Sequence, residues 1–413
     1  MTRGAREHVV PSQRESTHIM RLNTCSPRNA PGLVPLLLSI LALSAIPISV
    51  RAQGLDSTAV VARVAAAVCD KQVVLLGELP SHGEARGFQA KAAIVRRLVE
   101  QCGFDAVLFE APMYDFVGFQ ESVAGKTAAQ PQLDKAIGRF WWTRELAEWR
   151  AWLFRQAMER GLVVGGLDDQ VSVTSEYARA TLPGLVAASS PPNLAAECEA
   201  AVDRHLFWRY DAATPFEEPE KTRLQRCVRG AADSVVRAEG NHGSPVQAML
   251  ESFAGYVDRT RGAPAQPERD EAMYRNALWH LGRLPAESKV VVWTATVHAA
   301  RAQGGLSQQP LGAKLAAQFS GRLGAIGFTA YGGWSSMAAQ PRKQLADAPA
   351  GSLEEKATSG GVAWAYLDTA ALRSLGEKPS RLFGRIATAD WSKLFDGIVV
   401  IREEVAPTFD PWR

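Results

Sequence analysis

Short, continuous apolar runs recur along this chain, separated by stretches in which apolar residues return every three or four positions. The first run, 73–76, stops at Gly77. A run of that kind fits a strand buried on both faces of a parallel sheet. The pattern then changes. Phe88, Ala92, Val95 and Val99 fall at i, i+4, i+7 and i+11, along one face of a helix. Gly103 stands where a helix C-cap glycine would, and a second apolar run, 106–109, leads directly into Glu110. Strand, helix and strand make a βαβ unit, whose crossover is right-handed. Both strands then run the same way. Glu78, His82 and Glu110 therefore emerge at one edge of the sheet, where open α/β folds place their ligands.

The rest of the chain extends this alternation. Residues 55–69 read as a helix leading into the first strand. Thr143 is a good N-cap for a helix over 144–160, with Leu146, Trp149, Leu153 and Ala157 on one face and Gly161 after it. A third strand over 162–167 is followed by Asp168, Asp169 and Gln170. The section 172–283 lacks strong strand runs and reads as a helical insertion or cap, broken at Pro183, at Pro191 and Pro192, and over 262–267. Its last helix, 268–284, carries Arg269, Asp270, Met273 and Asn276. A fourth strand, 289–294, precedes Ala295, Thr296, Val297 and His298, and further strands are expected at 323–328, 362–367 and 398–401. Strands alternating with helices predict an α/β class with a parallel sheet.

Composition narrows the picture little. The 413 residues are 46% hydrophobic and 22% charged, with a net charge of +3. Charges of both signs are interspersed, which gives no argument for a nucleic-acid partner. The N-terminus matters more. The apolar run 33–50, preceded by Arg21 and Arg28 and ending at Arg51-Ala52 before Gln53, reads as an export signal. Residues 1–52 are thus expected to be a signal peptide with an N-terminal extension, and 53–413 the folded domain. The protein is expected to be periplasmic or secreted, without stable membrane insertion once the signal is cleaved. The rival reading is an uncleaved anchor. Export permits disulfides. Cys25 leaves with the signal; Cys69, Cys102, Cys198 and Cys227 remain, and three pairings are open. Cys69 and Cys102 each end a helix just before a strand, while Cys198 and Cys227 share the helical section, so Cys69–Cys102 and Cys198–Cys227 are favoured.

Several chemistries lack their motifs. There is no GxSxG, no GxxxxGK[ST], no strand-linked GxGxxG and no HExxH. What remains is a set of polar residues at strand ends: Glu78 and His82, Glu110, Asp168 and Asp169, and His298. Any one acid at such a place is more often a helix N-cap. Together on one edge they would line a single cleft, where a carboxylate-oriented His could take a proton from water or where His and carboxylates could hold a metal. His205, His242 and His280 read as surface or packing residues.

Seven segments in order over about 55–404 carry a resemblance. They are LLGELPSHG with Lys91, GFDAVLFEA, WTRELAEWRAWL, VGGLDDQ, ERDEAMYRNALW, VVVWTATVHAAR and FDGIVVIRE. The chain resembles the erythromycin esterase family, itself similar to the ChaN-like and Tiki/TraB groups in its opening Glu and His. The resemblance implies a three-layer α/β/α fold with a mostly parallel sheet and a helical insertion. It implies His82 as general base, Glu78 as its orienting partner, and Glu110 and His298 in the same catalytic set. Lys91, Asp168 and Asp169 would contact substrate, Lys91 by steadying an oxyanion or else pairing with a cleft carboxylate, and Arg269, Asp270 and Asn276 match the helix before the fourth strand. No cofactor is required, though a divalent metal is compatible; the partner is a small-molecule substrate, and oligomeric state stays open. Four features depart from the family pattern: an extra residue separates Glu78 from His82, Ala295 replaces a His, Thr296 replaces an Asn, and Arg86 stands where a Glu is common. An exported hydrolase acting on an ester or lactone is therefore weighed against a haem- or ligand-binding protein, and against a metal-dependent hydrolase, on the same fold. The intact Glu78, His82, Glu110 and His298 favour the first; Ala295 favours a binding or scaffold protein that kept the fold and lost part of the site.

Overall fold

The first strand of the chain is also the middle of the sheet. In a computed structural model that describes residues 55–410, apart from 173, 240–242, 261–265 and 339, β1 (Val73–Glu78) is flanked on both sides by strands that come much later. The others are β2 (Phe104–Pro112), β3 (Val163–Asp168), β4 (Lys289–Ala295), β5 (Leu323–Ser335), β6 (Lys343–Leu345), β7 (Trp364–Asp368), β8 (Lys378–Ser380), β9 (Ala387–Ala389) and β10 (Gly397–Glu404). Their order is β3-β2-β4-β1-β5-β10-β7, with β6 on β5 and β8–β9 a separate hairpin. Six of these strands are parallel, while β7 and β6 join antiparallel. The expected signal segment and His242 lie outside the described residues, as does most of the break expected at 262–267.

All six residues of β1 are buried, because both of its faces are covered. Val74 and Leu76 point into a core with α1 (Ser57–Val68) and α2 (Ala85–Cys102). Val73 and Leu75 point the other way, into a core with Met273 and Ala277. These are the three expected layers. Asp56 caps α1 by accepting from Ala59 N at 2.7 Å. Glu84 makes no such cap for α2. Instead Glu404, at the end of β10, accepts from Arg86 N at 3.0 Å and Gly87 N at 2.8 Å. Helix α2 closes on Gly103 in the left-handed region, as its sequence predicts.

After β2 come α3 (Met113–Ala124), α4 (Gln130–Ile137) and α5 (Ala147–Arg160). The expected insertion then holds α6 (Glu176–Ala188), α7 (Ala195–Leu206), α8 (Glu220–Glu239), α9 (Pro245–Thr260) and α10 (Gln266–Gly282). The first four share a core with Met113, Tyr114 and Val117 of α3. Two expectations are corrected here. Helix α6 runs through Pro183 instead of stopping there. Helix α10 belongs to the sheet, since Met273 and Ala277 pack on it. The glycines of β3 explain that contact: a Cβ on Gly165 would stand 2.4 Å from the His280 ring. His280 is accordingly a buried packing residue, its Nε2 3.0 Å from Gly166 O.

The disulfides are Cys69–Cys102 and Cys198–Cys227. The first ties the C-termini of α1 and α2 together, and Lys289 Nζ donates to both Cys69 O and Cys102 O, at 2.9 and 3.0 Å. Each bridge closes a loop of about 30 residues, which stabilises by ~3–4 kcal/mol in the chain-entropy account.

Candidate active site

At the C-terminal end of β1, Glu78 is 1% exposed and accepts four hydrogen bonds. Oε1 takes one from His82 Nδ1 at 2.7 Å and one from Trp141 Nε1 at 2.7 Å. Oε2 takes one from Lys91 Nζ at 2.7 Å and one from Trp293 Nε1 at 3.0 Å. Burial works against the charged form, but the Lys91 ammonium and the His82 bond outweigh it and hold Glu78 below the usual carboxylate range. Trp141 comes from the loop between α4 and α5. Arg150 fixes that loop by donating to Trp141 O at 3.0 Å and Thr143 O at 2.8 Å.

His82 sits in a turn closed by its own N–H on Leu79 O at 3.0 Å, with φ at 47°. A non-glycine residue in the left-handed region costs energy and is found where surrounding contacts enforce it. Here the bond to Glu78 and the Phe140 ring, 5.1 Å away, hold the imidazole. With Nδ1–H given to Glu78, Nε2 faces the cleft. Burial pulls the imidazole pKa down, yet the Glu78 bond and the Glu110 charge raise it above the ordinary histidine value.

Glu110, at the end of β2, is the second hub. Oε2 accepts from Thr294 Oγ1 at 2.7 Å and Ala295 N at 2.8 Å, while Oε1 accepts from Arg269 Nη2 at 2.9 Å. The same Oε1 lies 3.3 Å from His298 Nε2 and 3.9 Å from His82 Nε2. Burial again opposes the charge, but His298 and Arg269 hold Glu110 well below the usual range. His298 is delivered by α11 (Thr296–Ala299), a short helix directly after β4. It packs over the end of β1 because Gly77 leaves room: a Cβ there would stand 2.8 Å from Thr296 Cα and Ala299 Cβ. Asp270 Oδ1 orients His298 through Nδ1 at 2.8 Å. Burial lowers the His298 pKa, and the Glu110 and Asp270 carboxylates more than reverse this, pushing it up to about 10.

Glu78, His82, Glu110 and His298 therefore meet at one sheet edge. Asp168 joins them, bound to Arg269 Nη2 at 2.8 Å. Asp169 does not reach the cleft as expected, and Lys91 pairs with a site carboxylate, one of its two expected roles, without reaching substrate space. Lys91 is 0% exposed, since its charge is spent on Glu78 and it lies over the Trp293 ring at 4.4 Å. Asp169 is 0% exposed and forms a two-bond ion pair with Arg259. Asn276 is structural, donating to Leu167 O at 2.8 Å. Arg269 is the residue whose sequence match understated its place. It touches Glu110, Asp168 and His298 together, the last at 3.1 Å from Nη1. Trp141, Trp293 and Asp270 also matter more than any sequence signal indicates, because indole N–H groups and helix acids are usually packing or surface features. Among the described residues, no three His, Cys, Asp or Glu side chains are grouped as a metal site. The Arg269 guanidinium already occupies the position between Glu110, Asp168 and His298, so this donor set does not suit a divalent cation.

The cleft has two lobes that share Pro80, His82, Glu110, Gln170 and Arg269. One, of about 490 Å³, is walled by Pro112, Ile137, Phe140, Val171 and Met337. The other, the polar lobe, of about 520 Å³, sets Asp270, His298, Gln308 and Arg385 beside Val297, Leu306 and Phe383.

A sequence-family model described as erythromycin esterase matches residues 99–404. The match begins inside α2, after Glu78 and His82. No curated protein matches by sequence. Solved structures share the fold. A protein from Bacillus cereus superposes with a TM-score of 0.65 at 16% identity, over 86% of this chain and 100% of that one. A succinoglycan biosynthesis protein gives 0.63 at 15%, over 84% and 92%. An erythromycin esterase, a mutant of EreC in its open conformation, gives 0.59 at 16%, over 86% and 96%. Likeness at such identities speaks for the fold alone.

Proposed function

This chain belongs to the erythromycin esterase family, and from that premise we propose that it hydrolyses a carboxylic ester or lactone with a water activated by His82. The observation that carries the reading is the Glu78–His82 pair, in which the 2.7 Å bond at Nδ1 leaves Nε2 directed at the cleft. The 3.9 Å gap between His82 Nε2 and Glu110 Oε1 is one that a shared water can bridge. His82 takes a proton from this water as its oxygen attacks the ester carbonyl. The developing oxyanion would be met by the positive charges of Arg269 and His298. As the C–O bond to the alcohol breaks, the proton held by His82 passes to the leaving alkoxide. An acid and an alcohol result. The test is turnover by purified protein on a panel of carboxylic esters and lactones, and absence of hydrolysis across that panel would end this reading.

The acid limb of the reaction follows from the raised His82 pKa. The base must be neutral, so kcat/KM should rise with pH through a midpoint above the ordinary histidine value of about 6.5 and then level. A pH–rate profile with no acid limb would remove His82 from the role of base.

Export belongs to the same proposal. Its support is the pair of disulfides, which persist in oxidising compartments. Intact mass spectrometry of the protein from an exporting host should show a chain beginning at Gln53 with its four cysteines paired. A chain retaining residues 1–52 would exclude cleavage there.

A further inference from the structure

The two lobes of the cleft differ in what their charged groups have left to offer. In the apolar lobe, Lys135 is paired with Glu176 at 2.7 Å, and Arg139 is also engaged. In the polar lobe, Arg259 is committed to Asp169, and Arg269 to Glu110 and Asp168. Arg385 is different. It is exposed, it lines the polar lobe, and it makes no hydrogen bond or ion pair with any described residue. The carboxylates of this lobe are the reverse case, because each is already satisfied. Asp270 Oδ1 accepts from His298 Nδ1 at 2.8 Å and from Leu311 N at 2.7 Å. Glu110 is filled by Thr294, Ala295 and Arg269. An entering anion therefore meets a spare cation and no uncompensated negative charge.

The loop that carries Arg385 is held in place. It links β8 and β9, and its Phe383 is buried against the Trp391 ring at 5.2 Å. Leu382 O accepts from Thr296 Oγ1, which ties the loop to α11 and so to His298. Gly384 lies against Pro80, where a Cβ would stand 3.4 Å from Pro80 Cγ, so the loop also leans on the His82 turn. Gln308 lines the same lobe.

We propose that the polar lobe is a subsite for an anionic group of the substrate, with Arg385 as the recognising cation. The shared chemistry is a cluster of anionic oxygens, carboxylate or phosphate, on the part of the ester that lies away from the apolar lobe. This deepens the hydrolase reading, but binding of the anion does not need turnover. Isothermal titration calorimetry with glutarate, inorganic phosphate and neutral glutaramide separates the cases. Glutarate or phosphate should bind, with the tighter of the two naming the source, and Arg385→Gln should weaken that binding by about tenfold or more. Glutaramide should not compete. Equal anion binding by the variant, equal binding of the diamide, or no anion binding at all would each overturn the subsite. In a kinetic arm, Arg385→Gln should raise KM for an ester bearing a free carboxylate and abolish its preference over the matched neutral ester. Anion binding through Arg385 without any ester turnover keeps the subsite and removes the hydrolase reading. Ester turnover without anion binding does the opposite.

Discussion

Replacing His82 by Asn should lower kcat for ester hydrolysis by about 10²- to 10⁴-fold, the usual share of a positioned general base, while leaving the melting midpoint close to that of the parent. Asn is the informative substitution because of the backbone. His82 has φ at 47°, and Asn enters the left-handed region more readily than Ala or most other residues. A His82→Ala variant should lose as much activity, but its stability would mix two effects, the lost Glu78 bond and the strained backbone. The Asn amide can still donate toward Glu78, yet it has no basic nitrogen to take a proton from water. Steady-state kinetics on the best ester of the panel, with thermal melts of the same samples, check both halves. An Asn variant as active as the parent would show that the base lies elsewhere.

The second large effect concerns the hidden side of the same pair. Glu78→Ala should destabilise the fold by about 3–5 kcal/mol, the cost of leaving a buried charge without its partner. The Lys91 ammonium has nowhere to go: it is 0% exposed, and its remaining partner is Thr294 O at 3.2 Å. Trp141 and Trp293 would also keep buried N–H groups without their acceptor. Removing the charge with its partner, as Glu78→Gln with Lys91→Met, should recover much of that stability, because Met fills the space of the lysine stem and brings no charge. Activity should stay lost in both, since His82 Nδ1 no longer faces a carboxylate. Urea melts and ester kinetics on the parent, Glu78→Ala and the double variant read the two outcomes apart. If Glu78→Ala melts like the parent, the buried pair is not a structural element. If the double variant is fully active, the carboxylate is not what prepares His82.

These expectations depend on a convergence of which the chain shows only part. The β1–α2–β2 unit is visible because a doubly buried strand must be apolar throughout and a helix on a sheet must be apolar on one face. The same periodicity hides Lys91. It stands among buried apolar positions of α2 as an ion-pair partner, and a hydrophobic pattern has no way to say that a lysine is buried. Arg269 is hidden for a related reason: an arginine in a helix otherwise reads as surface.

The sequence by itself determined that this is an α/β protein with a helical insertion and that Glu78, His82 and Glu110 share one edge. Those features rest on local periodicity and on the fixed hand of a crossover, which short stretches contain in full. Only the tertiary structure decided that β4 lies between β1 and β2, with Ala295 level with Glu78. That placement brings His298 to the opening pair from a remote part of the chain. It also turns the backbone N–H of Ala295 onto Glu110. Strand order depends on which faces the returning helices can cover, a property of the whole sheet, and no single run of residues encodes it.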